Sequence, residues 1–424
     1  MDLTDSKKMS AGLMNRINTR QVLAIIRAEE YISRAEITKK LGLTPPTVNR
    51  ILTQLADYGF IEFVGHGISG GGRPPMMVKF NGKNNYIIGI DIGATAIRGV
   101  LSNLDAEFIV EIQLSTKLKS GEKGVMEQIF SLVDRLLSRK NFNNSKVLGI
   151  GIGVPGLIDH KKGIIDLSPD FGWRSMDFRK KLKERIKLPV IFDNSTRLMA
   201  VGERKYGKGV NLDEYIVINV GYGIAAGIVA NGKILNGAKG HAGEFGHIVI
   251  DPFSDVLCDC GGKGHLEALA SGRRIADMGK TLLLNNGDKD LKKRAENKVT
   301  NVTAKMIADM AREGNKNAIR IFDSALNYLS IGIVNLINVF DPKKVLIGGG
   351  VALSGDIFFD NLNLKVSQNM MSAKSISIEP VTFGENATLV GACALVLEGI
   401  LNFDISVSKT KVRTKIISTG KPVS

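Results

Sequence analysis

The stretch YIIGIDIGATAIRGVL, Tyr86 to Leu101, decides how the rest of the chain is read. Two apolar runs of strand length flank Asp91-Ile92-Gly93-Ala94-Thr95, which predicts strand, glycine turn, strand. A second unit of the same kind, YIVINVGYGIAAGIV from Tyr215 to Val229, begins 129 residues later. A repeated unit of this sort predicts two related lobes facing a cleft. Glycine turns let backbone N–H groups approach an anion, which is how such hairpins cradle phosphates.

Working outward, GIGVPG (Gly151 to Gly156) follows a strand, and Ile191 to Arg197 heads a helix running through Leu198, Val201 and Glu203. Both segments are expected to line the cleft. The run Ala325 to Phe340 carries Leu326, Leu329, Ile333, Leu336 and Ile337 at helical spacing, a core-packing stripe. Val345 to Gly350 reads as one more strand and glycine turn.

Ahead of the first lobe the periodicity changes. Apolar residues recur at helical spacing between Thr19 and Ile32, and Arg34 to Leu41 forms a second amphipathic stretch that Gly42 stops. Thr44 suits an N-cap and Pro45 the first helical position, while Val48, Ile51, Leu52 and Leu55 give a third helix its buried stripe. Helix, tight turn, helix is the layout that sets a recognition helix in the major groove. Thr44, Pro46, Thr47, Asn49 and Arg50 stand at its start, and Asn and Arg can pair bidentately with adenine and guanine. Phe60 to Val64 and Met76 to Phe80 read as two strands of a wing, whose Gly-rich tip offers Arg73 to the minor groove. Residues 1–82 are thus expected to be a winged helix-turn-helix that binds double-stranded DNA.

The charge balance agrees. The net charge is +15, and residues 1–85 hold 12 Lys and Arg against 7 Asp and Glu, which favours polyanionic partners. A second basic run, Lys409 to Lys421, lies in a tail spanning 404–424. No apolar run reaches the roughly 18 residues of a membrane span, and no signal-like segment follows Met1, so a cytoplasmic chain without membrane contact is expected. Three cysteines occur, and Cys258 and Cys260 lie too close together for a disulfide framework; they read as metal ligands.

The order of Asp91-Ile92-Gly93-Ala94-Thr95, Pro155-Gly156, Gly243-Glu244-Phe245-Gly246-His247 and CDCGGKGHLE, Cys258 to Glu267, resembles the ROK family of sugar kinases and repressors. The resemblance covers essentially the whole chain, since regulators of the family carry an N-terminal winged helix. It implies an α/β, two-lobed, actin-like sugar kinase fold of the ribonuclease H-like type. The first lobe is then 83–193, completed by 380–403, and the second 194–379. It further implies a sugar between the lobes, a structural zinc and a homodimer or homotetramer.

Thiolates and imidazoles supply the tetrahedron that zinc takes, and His247, Cys258, Cys260 and His265 are four such groups in one segment. Family members usually have Cys where His265 stands. Carried over by motif, the sugar contacts are Gly156, Asp193, Asn194, Glu244, His247 and Glu267, with His247 shared between metal and ligand. Kinases of the family have Asn-Asp where this chain has Asp193-Asn194, and that Asp is the base that deprotonates the sugar hydroxyl. An amide cannot take the proton. Ala94 replaces a usual Gly, and Tyr222 and Ala225 stand in a turn where the family prefers small residues. No catalytic residue is assigned, and neither ATP nor Mg2+ is expected as a cofactor. The expected function is a repressor of carbohydrate uptake or catabolism genes, with a sugar as effector. Two alternatives stay open: a sugar kinase with a DNA-binding arm, and a regulator controlled by a sugar-transport protein.

Overall fold

Ser33 shows how local chemistry sets the first elements. Its hydroxyl accepts from the Glu36 backbone N–H at 3.2 Å, and the Glu36 carboxylate accepts from the Ser33 N–H at 2.8 Å. This capping box satisfies two N–H groups that a helix start otherwise leaves unpaired. The computed structural model describes residues 11–66, 75–138, 146–160, 162–371 and 376–402. The chain divides into two compact units: residues 1–86 with 140–148 and 397–424, and residues 87–139 with 149–396.

In the first unit, α1 (Ala11–Ala28), α2 (Arg34–Leu41) and α3 (Pro45–Asp57) bury Val22, Ile26, Ile37, Val48, Ile51 and Leu55 against one another. Gly42 closes α2 in the left-handed conformation at φ 64°. Strands β2 (Ile61–His66) and β3 (Met76–Phe80) pair antiparallel as the expected wing. A two-residue strand, β1 (Ile32–Ser33), joins β3 through Ile32–Val78 and Ser33–Met77. The first helix therefore ends four residues before Ile32, which belongs to the sheet. Arg73 and the 404–424 tail lie outside the described residues.

The second unit holds two five-stranded sheets. The first contains β4 (Tyr86–Ile92), β5 (Ala96–Asn103), β6 (Phe108–Ser115), β7 (Val147–Val154) and β11 (Val190–Asn194), in the order β11-β7-β4-β5-β6. Helix α4 (Gly121–Leu137) buries Val125, Ile129, Leu132, Val133 and Leu136. A small antiparallel sheet of β8 (Leu157–Asp159), β9 (Ile164–Ser168) and β10 (Trp173–Met176) precedes α5 (Phe178–Lys183). The second sheet follows α6 (Ser195–Tyr206) and consists of β12 (Tyr215–Val220), β13 (Ile224–Ala230), β14 (Lys233–Ile234), β15 (Lys344–Gly348) and β16 (Ser377–Pro380), ordered β14-β13-β12-β15-β16. Helices α7 (Leu266–Ala270), α8 (Gly272–Leu284), α9 (Lys289–Arg294), α10 (Ala304–Arg312), α11 (Lys316–Phe340) and α12 (Asp356–Asn369) accompany it.

Both glycine-turn units thus become the hairpin of a separate sheet, β4–β5 and β12–β13. The stripe on α11 enters the second core through Leu326, Leu329, Ile333 and Ile337. Helix α13 (Ala387–Asn402) returns to the first sheet, and a Cβ on Gly151 of β7 would lie 2.0 Å from the Ala392 carbonyl oxygen. Glycine there lets the helix backbone press against the strand. Among the described residues, no helix is long and apolar enough to cross a membrane.

Candidate functional site

A cavity of about 640 Å³ opens between the two glycine turns of the second unit. That volume is in the range of small-molecule sites. Asp91, Gly93 and Thr95 line one side; Tyr222, Gly223, Gly349 and Gly350 line the other. Each turn is closed by a short backbone bond, Gly93 N–H to the Ala96 carbonyl and Gly221 N–H to the Gly223 carbonyl, both 2.9 Å.

The other end is acidic. Asp170, Glu244 and Glu267 face the cavity beside Gly156, Asn194 and His247. Burial is the main cause that raises the pKa of each of these three carboxyls; at Glu244 the charges of His247 and Arg197 oppose it. Glu267 is fixed by the Ile224 N–H, which donates to its Oε2 at 2.8 Å. Gly243 adopts φ 96°, and a Cβ there would lie 2.0 Å from the Ala226 carbonyl oxygen. The Ala226 N–H donates to the Gly243 carbonyl at 2.8 Å. Only glycine allows this approach, which pins the backbone next to Glu244 onto β13. Fixed carboxylates of this sort can accept hydrogen bonds from vicinal hydroxyls.

His247, Cys258, Cys260 and His265 converge below Glu267, with their ligand atoms all within 4.8 Å of one another. The Cys258 Sγ lies 3.6 Å from His247 Nδ1, and the Cys260 Sγ lies 3.2 Å from His265 Nδ1. On the opposite edge of its ring, His247 Nε2 lies 3.9 Å from Glu244. One imidazole thus faces the cluster with one nitrogen and the acidic end of the cavity with the other. Burial, helped by the neighbouring His247, keeps the His265 pKa below its usual value, which favours the lone pair that a metal ligand needs. Burial pushes the Cys258 thiol up to about 11. The cluster is a His2Cys2 candidate metal site.

Residues 87–399 match the model of the ROK family, and residues 16–62 match that of winged helix-turn-helix DNA-binding domains. The chain belongs to the ROK family. A putative xylose repressor of Caldicellulosiruptor sp. strain Rt8B.4 is 33% identical over 92% of this chain and 98% of its own length. Among solved structures, a ROK family transcriptional regulator described as a homologue of the E. coli MLC protein superposes with a TM-score of 0.78 at 24% identity, over 92% of this chain and 99% of its own. A ROK family glucokinase from Streptomyces griseus, solved with glucose and AMPPNP, gives 0.67 at 27% identity, over 74% of this chain and all of its own. The ROK fold is therefore shared with kinases, and the winged helix with regulators.

Within this ROK unit, one sequence expectation needs correcting. Asp193 does not line the cavity. Successive strand residues point to opposite faces, and at the end of β11 it is Asn194 that faces the cleft. Asp193 points away, into a cluster with Arg197 and His160. Asn194, expected at the base position, is the N-cap of α6: its Oδ1 accepts from the Thr196 and Arg197 N–H groups, and its Nδ2 donates to the Gly156 carbonyl at 3.1 Å. The first α6 side chain at the cavity is Ser195, whose Oγ lies 3.1 Å from Asp91 Oδ1. Ser195 lies in a segment expected at the cleft but was not singled out, because motif order does not say which of its residues turns inward; Asp170 has no local signal, and only the fold brings it to the cavity.

In the DNA-binding unit, Thr44, Pro46, Asn49 and Arg50 are exposed and Thr47 is half-buried. Thr44 occupies the N-cap position of α3, but its hydroxyl pairs with that of Thr47 at 2.9 Å instead of capping. Arg34 donates to Asn49 Oδ1 at 2.7 Å, and Arg50 donates to Asn15 Oδ1 at 2.6 Å. Both side chains of α3 suited to base readout are thus held by neighbours from other helices. Thr53, one turn beyond Asn49, is exposed on the same face and was passed over.

Proposed function

We propose that the chain is a sugar-responsive transcriptional repressor whose kinase-like unit binds a sugar without phosphorylating it. The observation that carries this reading is the pairing, in one chain, of a winged helix with a sugar-sized acidic cavity whose base position holds no base. Asn194 is committed to a helix cap and Ser195 is a hydroxyl, and neither takes up a proton near neutral pH. Gly156, Asn194, Glu244, His247 and Glu267, with Asp170 added, are the sugar contacts of this reading. Thr44, Pro46, Thr47, Asn49 and Arg50 are the DNA contacts. The xylose repressor relatives make D-xylose the first effector to test.

His247, Cys258, Cys260 and His265 fit zinc, because two cysteine sulfurs and two imidazoles with ligand atoms within 4.8 Å are a donor set and spacing that a tetrahedral ion can draw together, the metal displacing the thiol protons as it binds. When bound, zinc crosslinks the loop between β14 and α7, and these four residues then hold Glu244 and Glu267 in a fixed relation. Operator DNA is the macromolecular partner, read by a homodimer as two half-sites. A sugar lowers operator affinity only through its differential affinity for the two states. A hundredfold response requires about 2.8 kcal/mol of such difference.

The test is a titration of labelled operator DNA with the full chain, with and without D-xylose and D-glucose, alongside an ATP-consumption assay with the same sugars. Operator binding weakened by one sugar, without ATP turnover, is the expected result. Brisk turnover, or operator binding indifferent to a panel of monosaccharides, overturns the reading.

A further inference from the structure

Arg197 is 2% exposed and heads the largest fully buried side chains. A guanidinium out of water is costly unless its donors are satisfied. Here they are: Nε donates to Asp193 Oδ1 at 2.7 Å, Nη1 to the Gly240 carbonyl at 2.6 Å, and Nη2 reaches His160 Nε2 at 3.0 Å. His160 also touches Asp193 Oδ1 at 3.3 Å and hydrogen-bonds the Phe192 backbone, which leaves Nε2 to accept from Arg197. A parallel link lies alongside, where His241 Nε2 meets Asp166 Oδ2 of β9 at 3.0 Å.

These contacts gather three segments that flank the acidic end of the cavity. His160 follows β8, Asp193 is the penultimate residue of β11, and Gly240 opens the segment that leads to Glu244. That segment is held at both ends, by Arg197 at Gly240 and by β13 at Gly243. Neither Arg197 nor His160 lines the cavity, so they touch no ligand directly.

We propose that Arg197 is a positioning residue for the effector: with Asp193 and His160 it fixes the Gly240–Glu244 segment and thereby sets sugar affinity. This rests on the sugar-binding reading above.

His160 can be truncated without leaving a buried charge unpaired, because Arg197 and Asp193 keep their own ion pair at 2.6 Å. In the full chain, His160→Ala is expected to raise the Kd for D-xylose about tenfold, the scale of one hydrogen bond to a charged group. The chain has a single tryptophan, Trp173 on β10, whose fluorescence reads the titration. Sugar-free operator affinity is expected to stay within about twofold, and hydrogen exchange at 240–244 to quicken. His160→Gln, which keeps an acceptor for Arg197, is expected to recover most of the affinity. Unchanged sugar affinity in His160→Ala, unchanged exchange at 240–244, or failure of the glutamine to rescue overturns the proposal. A wild-type chain that binds no sugar overturns the sugar reading and with it the claim about affinity; exchange at 240–244 then decides the positioning role by itself.

Discussion

Asp91 sits at the end of β4 against the cavity, and burial lifts its carboxyl from 3.8 to about 6, against the pull of the Ser195 hydrogen bond and the Arg98 charge. The sign follows from linkage. The folded carboxyl holds its proton more tightly than the unfolded one, so stability falls as pH rises from about 3.8 to 6 and the full penalty persists above. That rise is worth about 3 kcal/mol at most, and the contact of Asp91 with cavity solvent reduces it to about 2 kcal/mol. Asp91→Asn removes the charge and keeps the shape. The variant is expected to melt roughly 3–6 °C above wild type at pH 7.5 and at nearly the same temperature at pH 4. Trp173 fluorescence follows the melt, because that residue is buried in the same unit. Ser195→Ala should steepen the wild-type dependence by removing a bond that favours the carboxylate, and should add no pH dependence in the Asp91→Asn background. A melting difference of equal size at both pH values, or none at pH 7.5, would refute the assignment of strain to the Asp91 charge.

Cys260→Ser should abolish stoichiometric zinc, measured by elemental analysis of protein purified without chelator, and lower the melting temperature of the zinc-loaded chain; zinc retained at one per chain would mean that Cys260 is not a ligand. Arg50→Ala should weaken specific operator binding by about 1–3 kcal/mol and relax one base preference, whereas a neutral effect would displace α3 from the groove contact assigned to it. Ser33→Ala removes the N-cap of α2 and should cost about 1 kcal/mol in the winged helix, read by chemical denaturation of the full chain. The Glu36 carboxyl is held below its usual value by its hydrogen bonds from Ser33. Its contribution is therefore present above about pH 4.5 and is lost as pH falls through the lowered value, a loss that Ser33→Ala should reduce without abolishing, because the backbone N–H of residue 33 still donates to the carboxylate.

The elements legible in the sequence are those whose signals are local. Gly42, Pro45 and the spacing of Val48, Ile51, Leu52 and Leu55 place α3 without reference to anything distant, and the β4–β5 and β12–β13 hairpins announce themselves by their own glycines. Strand β1 was invisible for the opposite reason. Its two residues pair with Met77 and Val78, over 40 positions away, and nothing at Ile32-Ser33 says strand until that partner is in place. The metal cluster was legible because Cys and His at short spacing have few other uses, while Asp170 needed the turn between β9 and β10 to bring it to the cavity.

The misplacement at Asp193-Asn194 has a geometric origin. Strand β11 runs parallel to β7, with Asp193 opposite Gly153 and Asn194 opposite Val154. Side chains alternate along it, so an error of one residue in locating the base exchanges the cavity for the buried side. Motif order gives the segment but not the phase. The proposed absence of phosphotransfer nevertheless extends to each residue that the phase could select. At one position the carboxylate of Asp193 is tied to a buried guanidinium, at the next an amide caps α6, and at the third Ser195 offers only a hydroxyl. On the reading proposed above none of these three residues serves as the base, so that part of the proposal rests on the local structure of the β11–α6 junction and not on any single alignment of it.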